Sequence, residues 1–348
     1  MKTQNLLCIL LAAMLLTGCG TPASPATEPT LAPTQTTAQT VPTTAPTEST
    51  IPETTAATEP EETEPPTEPT EPEATLPEPH PIADELTATH AFVYDCQTEQ
   101  YVFIKGDPED WVYPASTTKT YCAWLALQYL QPDQILTVGE EINFLEWEAS
   151  TAGLSQGDRM TTANVVKCLL MPSGCDAAYV LAASAGREIA GDPDLSARDA
   201  VTVFVDEMNR MAKELGFPNT HFITPDGYHR VKHHISLAAF VEIGKLCVSN
   251  QTILDATMHF EGYAEFADGR TMKLKNLNEI LNPDTIYYRE ACHGLKTGRT
   301  NAAGSCMLAA FWEEDHYVLV GVFGSHGMYD RYGEAVKLYD YFVKGETE

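Results

Sequence analysis

A change of composition near residue 87 decides which part of this 348-residue chain can form a core. Residues 20–86 are mostly Thr, Pro, Glu and Ala, with 13 acidic residues and no Lys, Arg, Trp, Tyr or Phe. Such a segment cannot bury enough apolar surface to offset the entropy of ordering, and its prolines and like charges keep it extended. We therefore expect residues 19–86 to be a disordered tether and residues 87–348 to form one folded domain.

The first 18 residues have the composition of a signal peptide. Lys2 supplies a positive charge, and residues 6–16 form an apolar run that is too short to span a bilayer. The end of this segment, residues 16–19 (LTGC), resembles a bacterial lipobox, which implies cleavage before Cys19 and attachment of lipid to its thiol. We expect an extracytoplasmic protein anchored to the cell membrane through Cys19. The alternatives are a plain secretory peptide or a free buried cysteine.

The charge of the folded part argues against several classes of partner. Residues 87–348 carry 36 acidic and 20 basic side chains. An acidic domain repels nucleic acid and anionic membrane surfaces. We therefore expect no nucleic-acid partner, and membrane contact only through the lipid.

The cysteines and histidines of the domain do not have the spacing of a metal site. The cysteines are odd in number, include no C-x-x-C pair and mostly lie in apolar runs, which is typical of buried thiols. His229 and His233 are four residues apart, but no third ligand follows them at a suitable spacing, so we expect no metal. The cysteines are Cys96, Cys122, Cys168, Cys175, Cys247, Cys292 and Cys306.

A serine and a lysine lie three residues apart where an apolar helix is predicted to begin. The motif Ser116-x-x-Lys119 leads into a pattern that predicts a helix over residues 116–130, ended by Pro132. Residues three apart share one helix face, so the hydroxyl and the amine can meet. A hydroxyl becomes nucleophilic when an adjacent base takes its proton, and a lysine in an apolar site can be that base. The alternative is a capping serine followed by a solvated lysine.

Two further motifs follow in the order used by serine acyl-transfer enzymes of the penicillin-binding and β-lactamase group. They are Ser-Gly-Cys at residues 173–175 and Lys-Thr-Gly at residues 296–298. With their flanking sequences, the three motifs closely resemble the D-alanyl-D-alanine carboxypeptidase family, the low-molecular-weight penicillin-binding proteins, over residues 88–345. The segments that carry the resemblance are 114–119 (PASTTK), 170–177 (LMPSGCDA), 215–222 (LGFPNTHF) and 294–298 (GLKTG).

The resemblance implies an α+β fold of the penicillin-binding and β-lactamase type, with helices packed on a mainly antiparallel sheet. The residue pattern itself indicates the same architecture: a hairpin first, helices next, and a three-stranded meander near the end. Asp176 and Ser236 are predicted helix N-caps. The predicted strands span 91–94, 101–104, 293–297, 305–311 and 317–323, and the predicted helices 116–130, 162–171, 177–185, 196–215, 236–246 and 330–342.

The resemblance also assigns roles to the first two motifs. Ser116 would be the acyl-ester nucleophile, Lys119 its proton acceptor, and the Ser173 hydroxyl a relay that both accepts and donates a proton. We expect these three side chains to carry the covalent chemistry.

The third motif would bind the substrate. Lys296 and Thr297 would hold its terminal carboxylate, and Gly298 would let it approach the strand closely. The oxyanion hole would consist of the backbone N–H groups of Ser116 and, by resemblance, Arg299.

Cys175 departs from the family pattern, which usually has Asn at this position. The Asn amide can accept a hydrogen bond from Lys119 and donate one to the substrate, whereas a thiol is a weak donor and a weak acceptor. The loss of one neutral hydrogen bond costs roughly 0.5–1.5 kcal/mol, or up to about tenfold in rate. We expect a slower enzyme rather than an inactive one. A nucleophilic Cys175 is the alternative, which Ser116 makes unnecessary.

Together these features predict a serine D-alanyl-D-alanine carboxypeptidase that trims peptidoglycan stem peptides through an acyl-enzyme on Ser116, without a cofactor. Penicillins would acylate Ser116, and the resulting acyl-enzyme would be hydrolysed slowly. One alternative is a weak transpeptidase or β-lactamase; another is a non-catalytic surface lipoprotein that binds muropeptides or β-lactams. Glu279 lies in a segment faintly like the deacylating region of class A β-lactamases, but it precedes Lys296 by 17 residues. We therefore do not expect fast β-lactam hydrolysis.

Overall fold

The computed structural model describes residues 76–346, so the predicted signal peptide, Cys19 and most of the predicted tether lie outside the described residues. The helices of this part are α1 (Thr118–Tyr129), α2 (Thr162–Leu170), α3 (Cys175–Ala190), α4 (Ala197–Glu214), α5 (Leu237–Val248), α6 (Gln251–Thr257) and α7 (Asp330–Phe342). The strands are β1 (His90–Asp95), β2 (Gln100–Lys105), β3 (Trp111–Val112), β4 (Ile135–Thr137), β5 (Arg159–Thr161), β6 (Ile235–Ser236), β7 (Glu261–Glu265), β8 (Thr271–Lys275), β9 (Cys292–Thr300), β10 (Gly304–Glu313) and β11 (His316–Ser325).

A five-stranded antiparallel sheet forms the centre of the domain, with strand order β2-β1-β11-β10-β9. The predicted hairpin is β1 and β2, and the predicted meander is β9, β10 and β11. In the meander Lys296 pairs with Leu308, so the Lys-Thr-Gly motif lies in β9 at one edge of the sheet. β1 joins the meander by pairing with β11, where Phe92 lies opposite Gly321.

Helices cover both faces of this sheet. Side chains alternate between the faces along a strand, so Phe92 and Val93 enter different cores. Phe92 belongs to the larger core, which the sheet shares with α1 to α5, and Val93 to the smaller core beneath α7. α5 packs on β10 and β11 from one side and α7 packs on them from the other. The predicted α+β fold, with helices on an antiparallel sheet, is confirmed.

The packed structure begins before residue 87, the predicted start of the domain. Residues Pro81–Glu85 form a 3-10 helix that His80 caps by accepting the Ile82 N–H at 3.2 Å. Ile82 and Leu86 are buried in the same core as α7, and Lys105 Nζ donates to the Leu86 carbonyl at 3.1 Å. Their Thr/Pro/Glu-rich surroundings give these two isolated apolar residues no local signal. They are buried because residues distant in the chain provide the partners.

One of the two predicted caps is present and the other is wrong. Ser236 caps α5, since its side chain accepts the Ala239 N–H at 3.2 Å. Asp176 does not cap α3, because the helix begins one residue earlier at Cys175, with Gly174 at the N-cap position. The Asp176 carboxylate binds a neighbouring loop instead, as described below.

The helix α6, the hairpin of β7 and β8, and the short strands β3, β4, β5 and β6 were not predicted. The hairpin alternates exposed and buried residues, with Ala264 and Leu274 pointing inward. Its short charged strands carry too few apolar residues for a strand prediction. Such a hairpin becomes stable only when its inner face packs against the rest of the domain.

Between residues 76 and 346, no helix has the length and apolar character needed to cross a membrane. Over the same residues, no three or more His, Cys, Asp or Glu side chains gather as a metal-binding group would require. Six of the seven cysteines of the domain are buried, as expected, and Cys96 is half-buried; all seven are free thiols.

Candidate active site

Ser116 and Lys119 are in direct contact. Ser116 lies in the 3-10 turn Ala115–Thr117, and α1 begins at Thr118, two residues later than predicted. Both kinds of turn bring residues three apart together, and Lys119 Nζ donates to Ser116 Oγ over 2.8 Å. Ser116 is half-buried, whereas Lys119 is fully buried. The hydroxyl therefore borders solvent while the amine is shielded from it.

Two further acceptors hold the Lys119 amine. The carbonyl oxygen of Asp226 lies 3.1 Å from Nζ, and Cys175 Sγ lies 3.2 Å from it. A neutral amine has two N–H donors and one lone pair. If the donors face these two acceptors, the lone pair faces the Ser116 hydroxyl, which is the orientation a proton acceptor needs. The Asp226 carbonyl was missed from the sequence because a backbone atom leaves no residue-type signal.

The loop that carries Asp226 packs tightly on the turn that carries Ser116. Gly227 has φ +79°, and a β-carbon on it would lie 1.9 Å from the Ala115 carbonyl oxygen. Glycine is needed here both for its backbone conformation and for the absence of a side chain. This contact fixes the Asp226 carbonyl relative to the nucleophile turn.

The second motif brings its cysteine, but not its serine hydroxyl, to Lys119. Ser173 has φ +63° and is buried, and its carbonyl accepts the Ser150 hydroxyl at 2.6 Å. Among the residues described, Ser173 Oγ makes no hydrogen bond to Ser116 or Lys119. Burial raises the pKa of the Cys175 thiol, which keeps it protonated near neutral pH.

Asp176 anchors the loop beside the nucleophile. Its carboxylate accepts the backbone N–H groups of Ala152, Gly153 and Leu154 at 2.9–3.0 Å. The loop is also tied to the second motif, because the Cys175 N–H donates to the Ser150 carbonyl at 2.8 Å. A buried carboxylate with several N–H donors is strongly held. These bonds give one wall of the site a fixed shape.

Lys296 carries a buried amine that has few hydrogen-bond partners. It is 2% exposed and donates to the Thr297 carbonyl at 3.0 Å, the one acceptor it has among residues 76–346. Desolvation first, and then the positive charges of Lys119 and Arg331, hold the pKa of Lys296 well below its usual value. A bound anion would offset the desolvation and the like charges, because an opposite charge nearby favours the ammonium form of Lys296.

Arg331 was missed from the sequence. It lies in the first turn of α7, is 6% exposed, and donates through its NH1 nitrogen to the Gly298 carbonyl at 2.9 Å. Its Nε is buried without a partner in the described structure. The one available signal was an arginine on the inward face of an amphipathic helix, where a charge is seldom buried without a partner.

A cleft of about 600 Å³ opens beside Ser116. Arg299 lines it, whereas Lys296 and Thr297 do not, so the cleft extends from the nucleophile along the side away from the Lys-Thr-Gly lysine. One wall is the loop 148–150 with Cys175, another is the loop 226–229, and the third is the end of β9 with residues 299–302.

His229 and His233 lie on a loop, not a helix, and have separate surroundings. His229 lines the cleft, whereas His233 is 1% exposed beneath the nucleophile turn. His233 Nδ1 accepts the Ile223 N–H at 3.2 Å, so Nε2 carries the proton and donates to Thr118 Oγ1 at 3.0 Å. Burial lowers the pKa of His233 to about 3, and the ring is neutral at ordinary pH.

Comparison with known proteins gives a consistent result. The D-alanyl-D-alanine carboxypeptidase DacF of Bacillus subtilis is 26% identical over 265 residues, 75% of this chain and 63% of its own length. A D-alanyl-D-alanine carboxypeptidase of Streptomyces sp. strain K15 is 28% identical over 194 residues, 55% of this chain and 64% of its own length. This chain thus spans just under two thirds of the length of these relatives.

Solved structures show the same fold. The Streptomyces K15 DD-transpeptidase superposes with a TM-score of 0.66 at 25% identity, over 78% of this chain and 100% of that one. Penicillin-binding protein D2 of Listeria monocytogenes, in its ampicillin-bound form, superposes with a TM-score of 0.58 at 21% identity. The match covers 74% of this chain and 97% of that one. The second likeness concerns the fold alone.

The peptidase S11 family, described as D-alanyl-D-alanine carboxypeptidase, matches residues 75–327. The match starts close to the first described residue and includes all three motifs. The geometry around Ser116 and the relatives in sequence and structure agree with it. The chain belongs to the D-alanyl-D-alanine carboxypeptidase family, peptidase S11.

Proposed function

We propose that this protein is a serine D-alanyl-D-alanine carboxypeptidase that releases the terminal D-alanine of peptidoglycan stem peptides through an acyl-enzyme on Ser116. The observation that carries the proposal is the 2.8 Å contact between Ser116 Oγ and the Nζ of the buried Lys119. A hydroxyl and an amine at this distance, bordering a cleft, are the parts that acyl transfer requires. Membership of the family supports the same reaction.

In the first half-reaction, Ser116 Oγ attacks the carbonyl carbon of the penultimate D-alanine while its proton passes to the Lys119 amine. The bond to the terminal D-alanine then breaks, and Lys119 returns the proton to the leaving nitrogen. In the second half-reaction a water molecule attacks the ester, its proton passes to Lys119, and Ser116 leaves as the hydroxyl. The Asp226 carbonyl, 3.1 Å from Nζ, orients Lys119 in both halves.

Lys296 would bind the C-terminal carboxylate of the substrate, together with the Thr297 hydroxyl. A carboxylate beside Lys296 favours its ammonium form, against the desolvation and the like charges that hold its pKa low. Substrate binding would therefore promote the charged form of Lys296, which pairs with the carboxylate.

The oxyanion that forms in each half-reaction would accept hydrogen bonds from the backbone N–H groups of Ser116 and Arg299. Preorganised backbone donors contribute a large share of transition-state stabilisation in acyl transfer. Gly298 lies directly against the Ser116 nitrogen, which leaves that donor accessible.

The second motif would act on both proton and substrate. Ser173 stays our candidate for relaying the proton between Lys119 and the leaving nitrogen, which requires its side chain to turn toward Lys119. Cys175, already 3.2 Å from Lys119 Nζ, would hold that amine and donate weakly to the acyl part of the substrate.

The proposal is tested with the full chain and the peptide diacetyl-Lys-D-Ala-D-Ala, with the S116A variant alongside. Mass spectrometry of the products should show a peptide shorter by one alanine, and S116A should give none. Fluorescent penicillin should label the parent protein and not S116A. If the peptide stays intact while penicillin still labels Ser116, the domain is a β-lactam-binding lipoprotein without carboxypeptidase activity.

A second candidate function is transpeptidation, in which an amine replaces water as the acceptor of the acyl group. The similarity to the Streptomyces K15 DD-transpeptidase favours it. Adding glycylglycine to the same reaction separates the two functions. Carboxypeptidase activity gives the hydrolysed peptide, whereas transpeptidation gives a product in which glycylglycine replaces the terminal D-alanine.

We also propose that the protein works outside the cytoplasm, attached to the membrane by lipid on Cys19. The supporting observations are the residues 16–19 (LTGC) after an apolar run and the family's stem-peptide substrates. Labelling of growing cells with a palmitate analogue should mark the parent protein and not the C19A variant.

A further inference from the structure

The cleft beside Ser116 is positioned for the acyl part of the substrate. If Lys296 and Thr297 take the terminal carboxylate, the leaving D-alanine lies on their side of Ser116. The cleft extends on the other side, along Cys175, loop 148–150 and Arg299. In a stem peptide, the penultimate D-alanine lies next to Ser116, and the residue that precedes the two D-alanines would enter this space after it, together with its side chain.

Glu148 presents a free carboxylate to that space. It is exposed, lines the cleft, and among residues 76–346 takes part in no ion pair or hydrogen bond. Asp226, the other acid of the cleft, differs, because it is 2% exposed and its Oδ1 accepts the Tyr228 N–H at 3.0 Å. Glu148 is therefore the acidic side chain of this cleft that can pair with a substrate.

The backbone on both sides of Glu148 is held in place. Glu146 pairs with Arg230 at 2.5 Å, which ties this loop to the opposite cleft wall. On the other side of Glu148, hydrogen bonds hold Ser150. Its hydroxyl donates to the Ser173 carbonyl, and its carbonyl accepts the Cys175 N–H. A carboxylate carried on a fixed loop loses less entropy on binding a ligand than one on a mobile loop.

We propose that Glu148 binds a free ammonium group on the side chain of the residue that precedes D-Ala-D-Ala, so that the enzyme prefers substrates with a cationic side chain at this position. The inference rests on the proposed carboxypeptidase function and deepens it by naming the substrate class. Glu148 lies away from the reacting atoms, so it acts on specificity. The ion pair is partly exposed, and we expect a preference of about 5-fold, the upper range for exposed pairs.

The test compares three peptides that differ only in the side-chain end. They are acetyl-Lys-D-Ala-D-Ala with a free ε-ammonium, its ε-acetylated form, and the norleucine peptide, which has neither charge nor added acetyl group. Released D-alanine is measured for the full chain, E148Q and E314Q. Glu314 is an exposed residue outside the cleft, so E314Q is a matched control that removes the same charge.

The expected result is that the parent and E314Q prefer the ammonium peptide over both others by about 5-fold in kcat/KM, mainly through KM. E148Q should cleave all three peptides with similar efficiency, at an unchanged kcat for the acetylated one. The inference is overturned if the parent shows no preference, if E148Q keeps it, or if norleucine does as well as lysine. Equal cleavage of all peptides by the parent leaves the carboxypeptidase function intact, whereas no cleavage of any peptide refutes that function and this inference with it.

Discussion

A β-carbon on Gly298 would lie 2.8 Å from the backbone nitrogen of Ser116. The two residues belong to β9 and to the turn before α1, and they face each other without an intervening side chain. The Lys-Thr-Gly glycine therefore keeps the nucleophile's own N–H accessible, in addition to leaving room for substrate along the strand.

G298A is expected to slow acylation without unfolding the domain. The added methyl group would crowd the Ser116 nitrogen, and loss of one oxyanion donor costs about 10²–10³ in rate. The measurement is the rate constant of labelling by fluorescent penicillin. G333A is the matched control: its β-carbon meets just one atom, at 3.7 Å on Tyr287, and it lies inside α7. Acylation of G298A at the rate of G333A would show that the close approach is unimportant.

K119M is expected to lower the acylation rate by about 10²–10⁴, because it removes the group in contact with the Ser116 hydroxyl. Met keeps most of the buried volume and removes a buried amine, so the thermal unfolding midpoint should not fall. K213M, at an exposed lysine near the end of α4, is the control and should acylate normally. Labelling of K119M within threefold of the parent would mean that another group takes the Ser116 proton.

C175N is expected to raise kcat/KM for D-alanine release by up to about tenfold. The amide would replace a weak thiol contact, 3.2 Å from Lys119 Nζ, by a stronger acceptor and would add a strong donor toward the substrate. C175A removes both contacts and should be slower than the parent. A C175N protein that is folded but has no higher kcat/KM would indicate that the thiol does not limit the rate of D-alanine release.

The stability of the domain should depend on pH through His233. The pKa of this buried ring is lowered to about 3 from 6.5, so below pH 6.5 the unfolded chain binds a proton that the folded protein does not. The free energy of unfolding should therefore fall as the pH drops from about 6.5 toward 3, by at most about 1.4 kcal/mol per pH unit.

H233Q tests this contribution, because the Gln carbonyl can accept the Ile223 N–H and its amide can donate to Thr118. Urea unfolding at pH 7, 6 and 5 should give a smaller decrease for H233Q than for the parent. Other groups add their own pH dependence to both proteins, so the difference between the two slopes is the quantity to compare. Equal slopes would refute the assignment.

Local spacing was sufficient for part of the site. Ser116 and Lys119 are three residues apart, and a helical turn of either type closes that distance. Ser236 and its helix were predicted for the same reason, since a cap needs only residues within one turn. The prediction for Asp176 was wrong because three N–H groups of a distant loop compete for its carboxylate.

The contributions of Asp226 and Arg331 could not be predicted in this way. Asp226 contributes a backbone carbonyl, which every residue has, so its identity carries no signal. Arg331 reaches the Gly298 carbonyl from α7, the last helix, after the chain has formed the whole meander. Glu148 is similar, since only the folded chain shows that it borders the cleft without a partner.

The sequence by itself determined the family, the order of the three motifs, the periodicity of six of the seven described helices and of the five strands of the central sheet, and the contact between Ser116 and Lys119. These depend on residue types at short, fixed spacings. Only the tertiary structure decided that β1 pairs with β11, that the packed chain begins before residue 87, and that Asp226 and Arg331 converge near Ser116 and Lys296. Those outcomes depend on contacts between residues far apart in the chain, and no local period specifies which distant partners meet.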